Sequence, residues 1–230
     1  MQALKQKLAG YEGAGRALEA QAAGIFEQMP CVHKPFKHWL FGNAFPLELS
    51  REIIKLPINP SSIVETYGKR DSHNDVRRFF STDMQTIHPV MQAIAALFQS
   101  SLVVRALEKS CGVNLSGSFL RIEYCQDKQG FWLEPHRDIK EKRMTMQIYL
   151  NTDEDAATLG TDLYDNNKKP FSTAPSIIGQ GMIFIPSEPE SWHGFEKRPI
   201  KGIRRSLIIN YVDDDWRAVH ELAFPGQRVE

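Results

Sequence analysis

The chain has 230 residues, 42% hydrophobic and 24% charged, which suffices for one sizeable core and favours a single domain over residues 1–230. Its 28 basic and 28 acidic side chains give a formal net charge of zero, without the basic excess typical of proteins that bind nucleic acid or anionic membranes. No apolar run approaches the ~20 residues of a membrane helix, the N-terminal stretch lacks the apolar centre of a secretion signal, and the three cysteines form no CxxC pair, so we expect a cytoplasmic protein without a membrane span.

The first half of the chain, residues 1–115, has mainly helical character. Apolar side chains recur near the helical period from Leu4 to Met29, which predicts one or two amphipathic helices with a break near Gly13 and Gly15. This half is expected to support the rest of the fold.

Three segments follow the N-terminal helices. Residues 29–46 are aromatic-rich and contain prolines, which indicates a strand or extended chain. A short helix is predicted between Pro46, at its first position, and Pro57, which stops it. Residues 61–85 are polar and rich in turn formers, which predicts a loop with a short strand.

One main helix is predicted over residues 88–112. Its apolar side chains recur at helical spacing, and Gly112 is a suitable C-terminal stop. We expect this helix to pack on a sheet.

From residue 116 the apolar period changes to two, which predicts β-strands. The predicted strands are "SGSFLRIEYCQ", "RMTMQIYLN", "TDLYD", "GMIFIP" and "RRSLIINYV". Several short strands without intervening helices favour an antiparallel sandwich or double-sheet barrel. The expected organisation is α+β: helical support over 1–115, a strand-rich core over 116–212, and a tail over 213–230.

A candidate metal site begins at "HRD", residues 136–138. Side chains two positions apart on an extended segment point the same way, so His136 and Asp138 could bind one ion. His193, after the strand "GMIFIP", is the best third ligand, because a sheet that folds back would bring it beside this pair. Two imidazoles and one carboxylate form the facial triad that suits iron(II) and leaves positions open. The alternative is that the pair is a chance arrangement of surface residues.

The last predicted strand carries a polar face. Arg204 and Ser206 lie on the same side of "RRSLIINYV", and a guanidinium with a hydroxyl suits a carboxylate of a dicarboxylic acid. A polar face on a central strand indicates a pocket. Arg205 shares its face with apolar residues, which indicates packing; a solvated strand-edge arginine is the alternative for Arg204.

These residues, in this order and at this spacing, resemble the iron(II)- and 2-oxoglutarate-dependent oxygenases, closest to the prolyl-hydroxylase-like branch. The likeness rests on "HRD", on "WH" ending at His193 and on "RRS" at 204–206, and it spans about residues 116–212. "MQIYLN" and "LGTDLYD" resemble two strands of that branch. The likeness implies a double-stranded β-helix, a jelly-roll or cupin-like barrel, with supporting N-terminal helices.

Carried onto this sequence, the resemblance implies a role for each matching residue. His136, Asp138 and His193 would bind Fe(II) and form the catalytic centre. The co-substrates would be 2-oxoglutarate and dioxygen. The residues implied in binding 2-oxoglutarate are Arg204, Ser206, Tyr149 and Tyr124, with Thr145 and Gln147 as further pocket residues.

The implied activity is hydroxylation with release of succinate and CO2, while desaturation or another oxidative outcome stays open. A small metabolite, such as an amino acid, sugar acid or natural-product intermediate, is the favoured substrate. A peptidyl prolyl or asparaginyl hydroxylase is the alternative enzyme, and a non-catalytic cupin-like binding protein is the alternative of another class. Nucleic acid is disfavoured, because Asn210 stands where alkylation-repair relatives carry a second arginine.

Substrate contacts are expected from three parts of the chain. They are the link 131–134, the side chains of Arg121 and Arg137, and the loops at 61–85 and 165–175. Phe131 and Trp132 could instead pack as an apolar lip over the edge of the barrel, which is the favoured interpretation.

Overall fold

The computed structural model describes residues 2–60, 68–69, 77–187 and 189–230, with side chains from residue 15 onward. The predicted loop at 61–85 therefore lies partly outside the described residues. Its described end carries a short strand and the start of a helix.

Five α-helices are described, and most of them pack together on one side of the molecule. They are α1 (Gln2–Gln28), α2 (Leu47–Ile54), α3 (Thr82–Ile87), α4 (Pro89–Gln99) and α5 (Ser101–Cys111). Helix α1 packs against α4 and α5, and α4 packs on the sheet. The backbone of α1 is helical through Gly13 and Gly15, so the break expected there is absent.

The main helix predicted over 88–112 is two helices, α4 and α5, bent by 53°. Ser100 separates them, because its backbone is extended and its hydroxyl accepts the Val103 N–H at 3.4 Å as an N-cap. Gly112 ends α5 in the left-handed conformation, as predicted. No single described helix is long and apolar enough to cross a membrane; the bent α4–α5 pair passes that test by length and composition alone.

The described strands form two antiparallel sheets. The seven-stranded sheet has the order β1 (Cys31–Val32), β2 (His38–Gly42), β9 (Gln180–Phe184), β6 (Lys142–Tyr149), β11 (Arg204–Val212), β4 (Phe119–Asp127), β3 (Arg78–Phe79). The four-stranded sheet has the order β5 (Leu133–His136), β10 (His193–Phe195), β7 (Asp162–Tyr164), β8 (Pro170–Thr173). A 3-10 turn at Val219–Glu221 lies in the tail.

All five strands predicted after residue 116 are present, as β4, β6, β7, β9 and β11. Three further strands, β5, β8 and β10, were not predicted, and each has only three or four residues. The N-terminal half also contributes strands, since β1 and β2 form one edge of the large sheet and β3 forms the other.

The architecture is a mixture of helices and antiparallel sheets that is consistent with a jelly roll. In the part of the chain that the structure describes, neither sheet closes on itself, so the expected barrel is not seen as a closed one.

The long strands β4, β11 and β6 position Arg204 and the polar side chains that share its face, because their register decides which side chains lie together. Strand β11 pairs with β4 along its whole length, from Arg204 opposite Asp127 to Val212 opposite Phe119. Alternate side chains of the three strands join the main apolar core with the helices. The remaining side chains face the four-stranded sheet, where a second cluster joins residues of both sheets, such as Tyr149 and Leu163.

Candidate metal centre

The structure brings the side chains of His136, Asp138 and His193 together. His136 ends β5 and is the direct partner of His193, the first residue of β10, across the small sheet. Asp138 follows β5 by two residues. One ligand atom of each lies within 4.8 Å of the others, so this group could hold a metal ion, and among the described residues it is the one such group.

Backbone carbonyl groups fix the orientation of both imidazole rings. The Nδ1 of His136 is 2.9 Å from the Glu134 carbonyl oxygen, and the Nδ1 of His193 is 2.9 Å from the Ser191 carbonyl oxygen. A carbonyl oxygen only accepts, so each Nδ1 carries the proton. The ring lone pair then lies on Nε2, which is the arrangement that metal-binding histidines need.

Asp138 is held in its ionised form by its neighbours. Burial alone would raise the pKa of its carboxyl group, but Lys142, His193 and two hydrogen bonds together lower that pKa well below its usual range. Lys142 Nζ donates to Oδ1 at 2.5 Å, and Thr145 Oγ1 donates to Oδ2 at 2.6 Å. Burial, with the adjacent ring of His136, lowers the pKa of His193 to about 4, so this imidazole is neutral at pH 7.

The three side chains open into a cavity of about 410 Å³ between the two sheets. Its wall includes polar and charged side chains from both ends of the large sheet. The wall includes Arg77, Arg121, Glu123, Thr145, Gln147, Thr161, Arg204 and Trp216.

At one end of the cavity lies Arg204, buried with 2% of its surface exposed. Its guanidinium donates to the Leu159 carbonyl oxygen at 2.8 Å, to Asp127 Oδ2 at 2.7 Å and, more weakly, to Thr161 Oγ1 at 3.3 Å. Three of its five N–H groups are thus engaged, and two have no hydrogen-bond partner among the described residues.

Tyr149 and Ser206 lie behind the cavity wall rather than on it. The Tyr149 hydroxyl accepts the Thr161 N–H at 2.9 Å and donates to Gln147 Oε1 at 3.1 Å. Gln147 Nε2 in turn donates to Ser206 Oγ at 3.3 Å. Gln147 and Thr161 form the cavity surface, and Tyr149 and Ser206 fix their orientation.

The expectation that Tyr124 lines the co-substrate pocket is corrected by its position. Tyr124 is paired with Leu207 and belongs to the helix-facing core, on the opposite face of the sheet from the cavity. Burial raises the pKa of its hydroxyl to about 12. The sequence contained the signal, because Tyr124 has the same parity as Leu120 and Ile122 in the core, whereas Arg121 and Glu123 line the cavity.

At the other end of the cavity lies a network of ion pairs. Arg121 Nη2 donates to Glu123 Oε2 at 3.1 Å, and Arg121 Nε donates to Glu221 Oε2 at 2.6 Å. The Arg121 guanidinium lies 4.7 Å from the Phe79 ring centre and 5.2 Å from that of Trp216. This end of the wall is therefore polar but built of mutually neutralising charges.

Some of the other residues expected to contact substrate lie in the cavity wall. Leu133, Glu134 and Arg137 line it, and so do Gly68 and Lys69 from the 61–85 region. Phe131 instead packs with Leu159, Phe195 and Ile200, which agrees with the favoured interpretation that Phe131 is a packing residue. Strand β8, in the 165–175 segment, is an exposed edge strand outside the cavity wall.

Asp127 and Thr161 are site residues that the sequence reasoning missed. Asp127 is the direct cross-strand partner of Arg204, and Thr161 precedes β7 on the opposite sheet. A polar period of two in "RIEYCQD" places Asp127 on the face of Arg121 and Glu123, which could have identified it. Nothing in the sequence indicates Thr161, because its position depends on the packing of the two sheets.

No protein-family model and no curated protein sequence matches this chain. Solved structures do match its fold. A prolyl 4-hydroxylase from Phytophthora capsici aligns with a TM-score of 0.56 at 14% identity, over 86% of this chain and 65% of that chain, so our chain spans about two thirds of that protein. A prolyl-4-hydroxylase from Pseudomonas putida aligns with a TM-score of 0.50 at 14% identity, over 76% and 92% of the two chains.

A prolyl hydroxylase from Trichoplax adhaerens, solved with a peptide fragment of the hypoxia inducible factor oxygen degradation domain, aligns with a TM-score of 0.54 at 17% identity. The alignment covers 89% of this chain and 94% of that chain. At identities this low, the structural alignments establish a shared fold. The resemblance to the prolyl-hydroxylase-like branch is thereby confirmed at the level of structure: this chain has the fold of prolyl hydroxylases.

Proposed function

We propose that this protein is an iron(II)- and 2-oxoglutarate-dependent dioxygenase that hydroxylates its substrate with release of succinate and CO2. The observation that carries the proposal is the meeting of His136, Asp138 and His193, with ligand atoms within 4.8 Å, in a cavity that also contains the buried guanidinium of Arg204. The fold shared with prolyl hydroxylases supports it.

The residues present fit a ferrous ion. Two neutral imidazoles with Nε2 lone pairs and one ionised carboxylate form the two-histidine, one-carboxylate set typical of non-haem iron(II). A structural zinc site would need a fourth protein ligand, and the described residues supply none in this group. When bound, iron(II) with 2-oxoglutarate and dioxygen supplies the oxidising power to hydroxylate a C–H bond.

The protein's own part is to hold the co-substrate and exclude water. Arg204 would bind the distal carboxylate of 2-oxoglutarate through the two N–H groups that do not donate to Leu159, Asp127 or Thr161. Its rigid planar fork is pre-organised by those three bonds, so little entropy is lost on binding. Gln147 supplies further polar contacts, oriented by Tyr149 and Ser206.

A small metabolite is the substrate that we favour. The cavity of about 410 Å³ lies in the size range of small-molecule sites. Its far wall is polar, and the charges of Arg121, Arg77, Glu123 and Glu221 offset one another. Such a wall is suited to a polar molecule that is held by hydrogen bonds.

A peptidyl prolyl or asparaginyl hydroxylase is the second candidate. The observation that favours it is that the structural neighbours are prolyl hydroxylases, one of them solved with a peptide fragment. A non-catalytic cupin-like binding protein is the alternative outside enzymes.

The test is conversion of 2-oxoglutarate to succinate under air with added iron(II), with and without candidate substrates. An enzyme produces succinate even when uncoupled, and the His136→Ala variant does not. Without oxygen, iron(II) and 2-oxoglutarate should give the weak visible colour of their chelate. A protein that shows neither succinate nor colour is a binding module. Panels of free metabolites and of proline- or asparagine-containing peptides then separate the two enzyme candidates by which of them stimulates succinate formation.

A further inference from the structure

A directed chain of hydrogen bonds links the tail of the protein to the carboxylate of Asp138. Arg121 is bound to Glu221 through Nε and donates from Nη1 to Asn210 Oδ1 at 3.0 Å. Asn210 Nδ2 donates to Thr145 Oγ1 at 2.9 Å, and Thr145 Oγ1 donates to Asp138 Oδ2 at 2.6 Å.

The direction of this chain is fixed by the chemistry of its members. Arginine only donates, so the amide of Asn210 must turn its oxygen to Arg121 and its nitrogen to Thr145. A hydroxyl that accepts one hydrogen bond has its single proton left for another. Thr145 Oγ1 accepts from Asn210, so its proton is left for the carboxylate oxygen of Asp138, which lies 2.6 Å away.

The chain is buried and its anchor is rigid. Asn210 and Thr145 expose 0% and 5% of their surface, and Arg121 exposes 2%. The Arg121 guanidinium is flanked by the rings of Phe79 and Trp216, which limit its movement. In a buried environment a hydrogen bond is stronger than at a solvent-exposed surface.

We propose that Thr145 and Asn210 are positioning residues for the metal centre. Thr145 holds one oxygen of Asp138 so that the carboxylate stays turned towards the two histidines, and Asn210, anchored by Arg121, fixes the Thr145 hydroxyl. Thr145 would act on the metal through the carboxylate of Asp138, and Asn210 would act through Thr145. The inference rests on the metal centre of the proposed function, and it adds the tail around Glu221 to the parts of the chain that shape that centre.

The competing explanation is that these polar groups merely satisfy one another inside the fold. That explanation predicts a loss of stability without a selective loss of metal affinity. The two explanations therefore differ in a measurement that needs no turnover.

The probe is Mn(II) alone, whose EPR signal as the free aqueous ion disappears on binding. Thr145→Val keeps the shape of the side chain and removes the hydroxyl, and we expect it to weaken Mn(II) binding by about 10- to 100-fold. Thr145→Ser keeps the hydroxyl and should bind within about threefold of the wild type. Thr86→Val is the matched control, because Thr86 is an exposed residue of helix α3 and its hydroxyl donates to the Thr82 carbonyl oxygen.

Asn210→Ala provides a second test that leaves Thr145 intact. It removes the donor that fixes the Thr145 hydroxyl, so it should weaken Mn(II) binding less than Thr145→Val does. Thermal unfolding of each metal-free variant shows whether it is folded. Should Thr145→Val not fold, Asn210→Ala and Thr145→Ser decide the question.

Each outcome has one meaning. Wild-type protein that does not bind Mn(II) overturns the proposed function and this inference together. Binding by the wild type with unchanged affinity in Thr145→Val, or in Asn210→Ala when that variant decides, overturns the inference alone. A loss in Thr145→Ser as large as in Thr145→Val also overturns it, because the hydroxyl is then not the cause.

Discussion

Along β11, alternate side chains enter different environments on the two faces of the seven-stranded sheet. Leu207, Ile209 and Tyr211 pack into the helical core, where the Tyr211 hydroxyl donates to the Phe98 carbonyl oxygen of α4 at 2.6 Å. On the other face, Arg204 lies at one end of the cavity and Asn210 near the other, about 20 Å apart along the strand.

The neighbouring strands repeat this division. On β4, Leu120, Ile122 and Tyr124 join the apolar core, whereas Arg121 and Glu123 face the cavity. The apolar face stabilises the fold by removing surface from water. The polar face is nearly as buried, yet it stabilises much less, because each polar group there exchanges water for a protein partner. One face therefore maintains the fold, and the other is available for chemistry.

The largest effect should follow from changing Asp138 on the cavity side. We expect Asp138→Ala, like His136→Ala, to abolish succinate formation, because the proposed iron site would lose one of its three ligands. The fold should survive, which circular dichroism and thermal unfolding would show. Succinate production at the wild-type rate would remove these residues from the active centre.

A smaller effect should follow from changing Arg204, which lies at one end of the cavity. Arg204→Ala should raise the 2-oxoglutarate concentration required by about 30-fold or more, because a partly buried charge pair contributes roughly 2–5 kcal/mol. Titration of succinate formation against 2-oxoglutarate measures it. Arg204→Lys keeps a cation beside Asp127 and controls for folding.

Arg205→Ala is the matched variant on the other face of the same strand. Its requirement for 2-oxoglutarate should equal that of the wild type. The reverse result, with Arg205→Ala impaired and Arg204→Ala unchanged, would exchange the roles assigned to the two faces.

The adjacent residues Ile208 and Ile209 allow the stability of the two faces to be compared through the loss of a single methyl group. Ile209→Val should lower the free energy of unfolding by about 0.5–1.5 kcal/mol, because Ile209 is buried in the helical core. Ile208→Val should cost less, since Ile208 lines the cavity and is only partly buried. Denaturant titrations at 25 °C measure both, and equal losses would show that the two faces are packed alike.

The smallest expected effect is one of thiol reactivity. Cys31 is exposed, whereas Cys111 in the helical core and Cys125 on β4 are buried. Burial raises the pKa of the Cys111 thiol to about 12, so it is unreactive at pH 8. A thiol reagent should therefore modify one cysteine in the native protein and three after unfolding. Rapid modification of a second thiol in the native state would show that one of the two buried sites opens readily.

Much of the division between the apolar and the polar face of the large sheet could be predicted from the sequence. A period of two is visible wherever a strand is long. "RRSLIINYV" separates Arg204 from Arg205 by alternation alone, and the structure places them on opposite faces. The same rule, applied to "RIEYC", would have assigned Tyr124 to the core. At Tyr124 the family likeness and the alternation disagree, and the structure follows the alternation.

Other features depend on contacts that a sequence pattern does not contain. Strands β5 and β10 are three or four residues long, and their pairing brings His136 opposite His193. Thr161 reaches Arg204 only because the small sheet covers the large one. The turn at Ser100 was missed because apolar spacing continues through it, while a single hydroxyl caps the second helix.

The outer strands of the large sheet have a consequence for any attempt to shorten the protein. Strands β1 and β2 cover β9, and β3 covers part of β4. A fragment beginning at residue 116 would expose backbone N–H and C=O groups along both margins, which are templates for pairing with another chain. We expect such a fragment to aggregate, as light scattering would show, although it contains His136, Asp138, His193 and Arg204. We therefore expect the half that contains the proposed metal site to need the N-terminal strands in order to stay soluble.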